Sequence, residues 1–243
     1  MVAIDSSLSP ADGVRYFNTL YLEVTKEVVE ALAGDQLEDP RFLEHLAVLF
    51  SNAYLRALDD FARAPASVSR AWAPLFAARL DKRVAPIQFA LAGMNAHINY
   101  DLPVGVRDTC LAFDLAPRDG SPQHRDYVRL NTILGEVQGR VKAWLATGLL
   151  GVLDRAFGNL DDVIAGFSVA RARDAAWVHG QALWSMRDER ELSSAYLLTL
   201  DHTVGFAGHG LLVPTLLGLG RWASAQRWLP AAAGSLLGAP RGP

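Results

Sequence analysis

The sequence is poor in the residue types on which several familiar kinds of site depend. Cys110 is the single cysteine in 243 residues, which excludes a disulfide framework and a cluster of thiolate metal ligands. It lies in an apolar run without a basic neighbour, so we expect a buried, unreactive thiol. The sequence also has no glycine-rich phosphate loop, no dinucleotide fingerprint and no nucleophile elbow in a strand–turn–helix context. These absences exclude the common nucleotide-dependent and serine-hydrolase chemistries.

The sequence also has no large excess of either sign of charge. The formal net charge is −3, with 23 Lys and Arg against 26 Asp and Glu, and no basic surface for nucleic acid is indicated. Residues 1–10 lack the basic and apolar regions of a signal peptide. The apolar stretch 203–220 contains glycines and Pro214, which favour a buried, broken helix over a membrane span. We therefore expect a cytoplasmic protein that neither inserts into a membrane nor binds nucleic acid.

Helix signals, in contrast, follow one another along the chain. No segment alternates apolar and polar residues for more than a few positions, whereas apolar residues recur every three or four positions. We expect one all-α domain over residues 1–230, a bundle of about seven to nine helices, and a flexible tail at 231–243. The predicted helices begin near Ser9, Pro40, Pro65, Pro86, Val104, Arg125, Leu160 and Glu189. Pro103 is expected to end the fourth of them.

The fourth helix, from Pro86 to Asp101, differs from the others. No Lys, Arg, Asp or Glu lies between Arg83 and Asp101, which is typical of a helix surrounded by other helices. The segment nevertheless contains the polar residues Gln88, Asn95, His97, Asn99 and Asp101. On a helical wheel the three amides share one line, and His97 and Asp101 lie on roughly the opposite side. A buried polar group without a partner costs about 1–3 kcal/mol, so these groups require partners from protein, water or ligand.

His97 and Asp101 stand four residues apart, so the carboxylate can orient the imidazole and fix its tautomer. We interpret them as the candidate catalytic pair, with His97 moving the proton and Asp101 orienting it. A salt link that only supports the fold is one alternative, and metal ligation is another. A divalent metal would need further ligands, for which His45, His179 and His202 are weak candidates. No cofactor is predicted.

Eight further residues are candidates for substrate binding. They are Gln88, Asn95, Asn99, Asn18, Asn52, Arg171, Asp174 and Trp177. The amides either bind polar groups of a ligand or hydrogen-bond to neighbouring helices. Arg171 and Asp174 lie one turn apart beside Trp177, which is typical of an internal ion pair and also compatible with substrate binding.

The run at 88–103, QFALAGMNAHINYDLP, resembles the hallmark of a bacterial family known as domain of unknown function 5995. Other parts of that family's pattern are similar at 16–21, at Phe50 with Tyr54, at 126–127 with Asn131, and from Arg171 to Trp184. The resemblance covers nearly the whole chain. It supports the choice of the central helix and implies no reaction type.

The sequence favours a small-molecule enzyme of the bacterial cytoplasm, in specialised metabolism, that uses acid–base chemistry on a largely apolar substrate. A cyclase, lyase, isomerase or hydrolase would fit. The alternative is a non-catalytic helical module that binds a hydrophobic ligand or a partner protein. A cavity beside His97 and Asp101 would favour the first, and complete packing around them the second. The oligomeric state is left open.

Overall fold

The structure is a computed structural model that describes residues 1–131, 134 and 168–214. Its helices are α1 (Val2–Ser7), α2 (Val14–Leu32), α3 (Pro40–Arg63), α4 (Ala73–Ala78), α5 (Pro86–Ala96), α6 (Leu102–Ala112), α7 (from residue 122), α8 (Val169–Ser185) and α9 (Arg190–Leu211). A 3₁₀ turn, Pro65–Ser67, precedes α4, and a π turn, His97–Asp101, joins α5 to α6. No strand occurs in the described ranges. The all-α prediction is confirmed, while the predicted tail at 231–243 lies outside the described residues.

Two predicted helix starts are confirmed at proline. The Asp39 side chain accepts a hydrogen bond from the backbone N–H of Phe42, and Pro40 occupies the first turn of α3. Pro86 likewise opens α5. A proline at the first helical turn removes only an N–H that has no partner inside the helix, and its fixed φ suits the helix. These starts were predictable because their cause is local.

Other predicted boundaries are wrong, because a local hydrogen bond or a tertiary contact starts the helix elsewhere. The first predicted helix starts at Val14, since the Asp12 carboxylate accepts from the Val14 N–H and pairs with Arg79. α1 was not predicted. The segment predicted from Pro65 is only a 3₁₀ turn before α4. Of the helix predicted over 160–187, residues 160–167 lie outside the described residues, and α8 begins at Val169 after Ser168, which is extended and caps the helix by accepting from the Arg171 N–H.

Pro103 does not end the central helix, contrary to prediction. The Leu102 N–H donates to the carbonyl of His97, five residues back, and the chain continues in helical geometry into α6. In a regular α-helix the Pro103 ring would clash with the carbonyl four residues earlier. A wider π turn relieves such a clash and lets the chain continue in helical geometry. Residues 86–112 thus form one helical rod with a π turn in its middle.

Gly205, Gly208 and Gly210 do not break the last helix. α9 runs through them and ends at Leu211, so the predicted break of the stretch 203–220 comes after these glycines, and residues 215–220 lie outside the described residues. A Cβ at Gly205 would lie 2.4 Å from the backbone oxygen of Arg70, so the glycine allows α9 to approach the segment before α4. None of the described helices is long and apolar enough to cross a membrane.

The central rod lies between two hydrophobic clusters. The first cluster joins α2, α3, α4, α5 and α9 and contains Phe17, Trp72 and Phe89. The second joins α3, α6, α7 and α8 and contains Phe42, Val106 and Trp177. Every residue of α5 except Met94 is buried, which confirms the predicted central helix. Cys110 is also buried, and burial raises the pKa of its thiol to about 12, as predicted for a core cysteine.

Candidate functional site

His97 and Asp101 form a hydrogen-bonded pair inside the π turn. His97 Nδ1 lies 2.8 Å from Asp101 Oδ2. His97 is 2% exposed and Asp101 7% exposed. The predicted pairing of the imidazole and the carboxylate is present. The pair lies within the π turn, which ends two residues before Pro103.

The imidazole is enclosed by aromatic rings. Phe50 stacks on it with the ring centres 3.5 Å apart and the planes 6° from parallel. Tyr21 meets it edge-on at 4.5 Å between ring centres. The other rings within about 6 Å are Phe17, Tyr54 and Trp72. We call these five rings the aromatic cage.

The cage determines the charge of His97. Burial lowers the pKa of His97 below its ordinary value, while the hydrogen bond to Asp101 acts in the opposite direction. The neutral ring carries its proton on Nδ1, because Asp101 is the acceptor there. Nε2 is buried and has no hydrogen-bond partner among the described residues. His97 is therefore a neutral donor to Asp101.

Trp72 provides a second donor to the same carboxylate oxygen. Its indole Nε1–H donates to Asp101 Oδ2 at 3.0 Å. The segment carrying Trp72 is anchored by Asp201 of α9, whose carboxylate accepts from the backbone N–H groups of Arg70 (3.0 Å) and Ala71 (2.8 Å). Trp72 was predicted only as a core residue. No spacing in the sequence could identify it as a partner of Asp101, because 29 residues separate them.

Asp101 also lines a cleft of about 220 Å³ between α3 and the α6 end of the rod. Leu49, Ala53, Arg56, Ala57 and Asp60 come from α3, Ser69 and Trp72 from the segment before α4, and Tyr100, Asp101, Val104, Gly105 and Asp108 from the rod. His97 is absent from this lining. Both donors bind Oδ2, and Oδ1 accepts no hydrogen bond from the described residues. Asp101, not His97, is thus the member of the pair that a ligand can reach.

The amides of the central helix point to α9. Asn95 Nδ2 donates to the Val204 carbonyl at 2.9 Å, and Asn99 Nδ2 donates to Asn95 Oδ1 at 3.1 Å. Gln88 Nε2 donates to the Leu211 and Val213 carbonyls at 2.9 and 2.7 Å. The bonds of Gln88 and Asn95 are the contacts with neighbouring helices predicted as one of the two roles of the amides, whereas Asn99 bonds within the rod.

A family model described as a family of unknown function, DUF5995, matches residues 1–214. The chain belongs to the DUF5995 family. No curated protein and no solved structure matches it.

The structure separates Asn18 from Asn52. Asn18 is buried in the DUF5995 chain, where its Oδ1 accepts from the Tyr54 hydroxyl at 3.3 Å and its Nδ2 donates to the Met1 carbonyl at 3.2 Å. It therefore supports a ring of the aromatic cage. Asn52 is exposed and has no contact with the pair in the described structure.

Arg171, Asp174 and Trp177 lie away from the cleft, at the second cluster. Arg171 and Asp174 are exposed and do not pair within the described residues, and Asp174 accepts instead from Asn131 at 3.2 Å. Trp177 is buried and donates to Asp119 at 3.1 Å. The buried cation here is Arg173, which donates to Asn131 Oδ1 and the Tyr127 carbonyl and packs over the Tyr127 ring. The sequence does not distinguish Arg173 from Arg171, because both lie in the same short run of alanines and charged residues.

The weak metal candidates do not come together with His97. His45 Nδ1 lies 3.4 Å from the Thr109 hydroxyl, and His179 Nδ1 lies 2.7 Å from the Tyr196 hydroxyl. His202 is exposed. In the described ranges, no three His, Cys, Asp or Glu side chains are arranged to hold a metal ion.

Proposed function

We propose that this DUF5995 chain is a small-molecule enzyme that uses Asp101 for acid–base chemistry in the cleft between α3 and the central rod. The observation that carries the proposal is the position of Asp101, which lines the cleft while two N–H donors hold one of its oxygens from behind. As part of the proposal, the enzyme acts in the bacterial cytoplasm, in specialised metabolism.

The geometry changes the roles first expected of the pair. A group that transfers a proton must come within hydrogen-bond reach of the substrate. Asp101 lines the cleft, whereas His97 lies behind it within the aromatic cage. We therefore assign the proton transfer to Asp101. His97 and Trp72 are positioning residues. The ring nitrogen of each one bonds to Asp101 and fixes the orientation of the carboxylate, so it is not directed at the substrate.

The cleft restricts the size and polarity of the substrate. Its volume of about 220 Å³ is below the roughly 300–1,000 Å³ of pockets for drug-sized ligands. Leu49, Ala53 and Val104 provide apolar wall, and Asp101 lies among them. A small metabolite with an apolar body and one proton-donating polar group fits this lining.

A non-catalytic binding module is the second candidate, and the amide line favours it. Gln88 and Asn95 bond to backbone carbonyls of α9 and of Val213 just after it, so these amides act in helix packing. If Asp101 has the same purely structural purpose, the cleft binds a ligand without transforming it. The two candidates differ in whether a ligand is consumed.

Untargeted metabolite profiling tests the proposal. The purified chain is incubated with a deproteinised bacterial metabolite extract, and mass spectrometry follows which compounds disappear. We expect at least one compound to be consumed, and Asp101→Asn to slow its loss about 100-fold or more. Asp59→Asn is the matched control, because Asp59 is exposed on α3 outside the cleft lining.

Two results would contradict the enzyme. Consumption at an equal rate by Asp101→Asn would remove Asp101 from the chemistry. No consumption by the wild-type chain, together with a compound retained through equilibrium dialysis, would favour the binding module. Circular dichroism of each variant establishes that a lost rate does not come from a lost fold.

A further inference from the structure

We infer that the cleft takes a small organic cation, an ammonium group on a short apolar body, whose positive charge pairs with Asp101. The inference depends on the proposed function for the choice of site and adds the chemical class of its ligand. It is carried by the buried carboxylate, the charges of the lining and the apolar walls of the cleft.

Asp101 is a buried charge without a cationic partner in the described structure. It is 7% exposed, and both of its hydrogen bonds come from neutral donors, the His97 imidazole and the Trp72 indole. The basic group it contacts is His97, which burial holds in the neutral form by lowering its pKa. Buried charges in proteins are paired, since an isolated one is costly to desolvate. The open side of Asp101 is the cleft, so a positive ligand there would complete the pair.

The other charges of the lining act in the same direction. Asp60, Asp101 and Asp108 line the cleft, with Arg56 as its one cationic lining residue among those described. Asp108 is neutralised by Arg107, whose Nε lies 2.7 Å from its Oδ1. Asp60 is exposed, and it adds an unpaired carboxylate at the mouth within the described residues. A cleft whose lining has an excess of one sign concentrates ligands of the opposite sign.

The ligand is an organic cation and not a metal ion. No three potential ligand side chains in the described ranges are arranged around a common point, whereas metal ions in proteins take several such ligands. The cleft wall also has apolar side chains, Leu49, Ala53 and Val104, which would contact an alkyl body. An ammonium group can donate to Asp101 Oδ1 while its carbon chain lies along this wall.

Three probes of equal length and different charge test the inference. Butylammonium, butan-1-ol and butanoate are titrated against the full chain, with binding followed by ligand-detected NMR. We expect butylammonium to bind about tenfold more tightly than butan-1-ol, with no detectable binding of butanoate. In Asp101→Asn the difference between butylammonium and butan-1-ol should fall to about twofold or less. Equal binding of the cation and the alcohol by the wild-type chain would overturn the inference.

Surface variants keep the test informative if Asp101→Asn fails to fold. Asp60→Asn should weaken butylammonium about two- to threefold, and Arg56→Gln should strengthen it by a similar factor, as screened exposed charges do. Asp59→Asn, on the same helix but outside the lining, should leave the affinity unchanged. The opposite order for Asp60→Asn and Arg56→Gln would overturn the inference.

The two proposals fail in different ways. Selective binding of butylammonium through Asp101, without any compound being consumed in the metabolite extract, contradicts the proposed enzyme activity and supports the inference of a cationic ligand. Consumption of a neutral or anionic compound that depends on Asp101 supports the proposed enzyme activity and overturns the inference of a cationic ligand.

Discussion

At the scale of single residues, Asp101 connects the fold to the cleft. Its Oδ2 accepts from His97 of the same turn and from Trp72, which belongs to the segment before α4. Each N–H donor restricts the carboxylate, and preorganised groups contribute to catalysis because they need no rearrangement during the reaction. The aromatic cage in turn fixes the imidazole. The candidate site is therefore built from a reactive carboxylate and a rigid support behind it.

The neutral His97 predicts that the fold loses stability in mild acid. Burial lowers the pKa of His97 below its ordinary value of 6.5 in the folded chain. Between these two values the unfolded chain binds more protons than the folded chain, so the free energy of unfolding falls as the pH drops below about 6.5. We expect a decrease on the order of 1 kcal/mol from pH 7.5 to pH 5.5, measured by urea unfolding.

Comparison with two variants assigns this loss to His97. His97→Gln cannot titrate in this range, so its free energy of unfolding should change less between pH 7.5 and pH 5.5 than that of the wild type. His202→Gln removes an exposed histidine and should leave the wild-type dependence in place. His179, whose pKa burial also lowers, accounts for a remaining dependence of the same sign. A His97→Gln profile parallel to that of the wild type would show that His97 does not stay neutral.

The site was predictable where its cause is local in the sequence. The four-residue spacing of His97 and Asp101 predicts their contact, and the absence of charged residues around them predicts burial. Trp72 was not predictable as a donor, because α9 places it through Asp201. Asn18 and Asn52 both lie in apolar stripes, yet only Asn18 is buried. A stripe shows which face a residue occupies, not which neighbour covers it.

At the scale of helices, the π turn is the feature that the sequence concealed. Pro103 predicts a helix end if the helix before it is assumed to be a regular α-helix. In a π turn the extra residue accommodates the proline, so the helix need not end there. π turns of this kind are frequent at functional sites. Here the turn contains both His97 and Asp101. Pro40 and Pro86 were read correctly because a proline at a helix start needs no such adjustment.

The glycines of α9 predict opposite effects for two similar substitutions. A Cβ at Gly205 would lie 2.4 Å from the Arg70 backbone oxygen, whereas a Cβ at Gly210 would have nothing within 4 Å. Backbone cannot move aside as a flexible side chain can, so Gly205→Ala should lower the free energy of unfolding by about 1–3 kcal/mol. Gly210→Ala should be neutral or stabilising by up to about 1 kcal/mol, because alanine restricts the unfolded chain.

Thermal and urea unfolding of the two variants provides the measurement, with Gly210→Ala as the control for helix propensity. Gly205→Ala should also disturb the site, because Arg70 N–H is one of the groups that anchor the segment of Trp72. A Gly205→Ala chain as stable as Gly210→Ala would contradict a close contact between α9 and the segment before α4.

At the scale of the whole molecule, the central rod links the two hydrophobic clusters. α5 belongs to the first cluster and α6 to the second, and Phe50 and Met94 pack against both. The candidate pair lies in the π turn between them. A substitution that destabilises one cluster should therefore destabilise the other, because a continuous helix joins them. The described core should open as one cooperative unit.

Hydrogen exchange measured by mass spectrometry tests this coupling. Val106 is fully buried in the second cluster, and Val106→Ala removes two methyl groups there, at a cost of about 1–3 kcal/mol. If the core opens as one unit, peptides from α2, which belongs to the first cluster, should lose protection by the same free energy as peptides from α6. Val178→Ala, an exposed valine on α8, should change neither. Loss of protection confined to α6 and α8 would show two independent units, and the cleft would then lie on a boundary that opens without global unfolding.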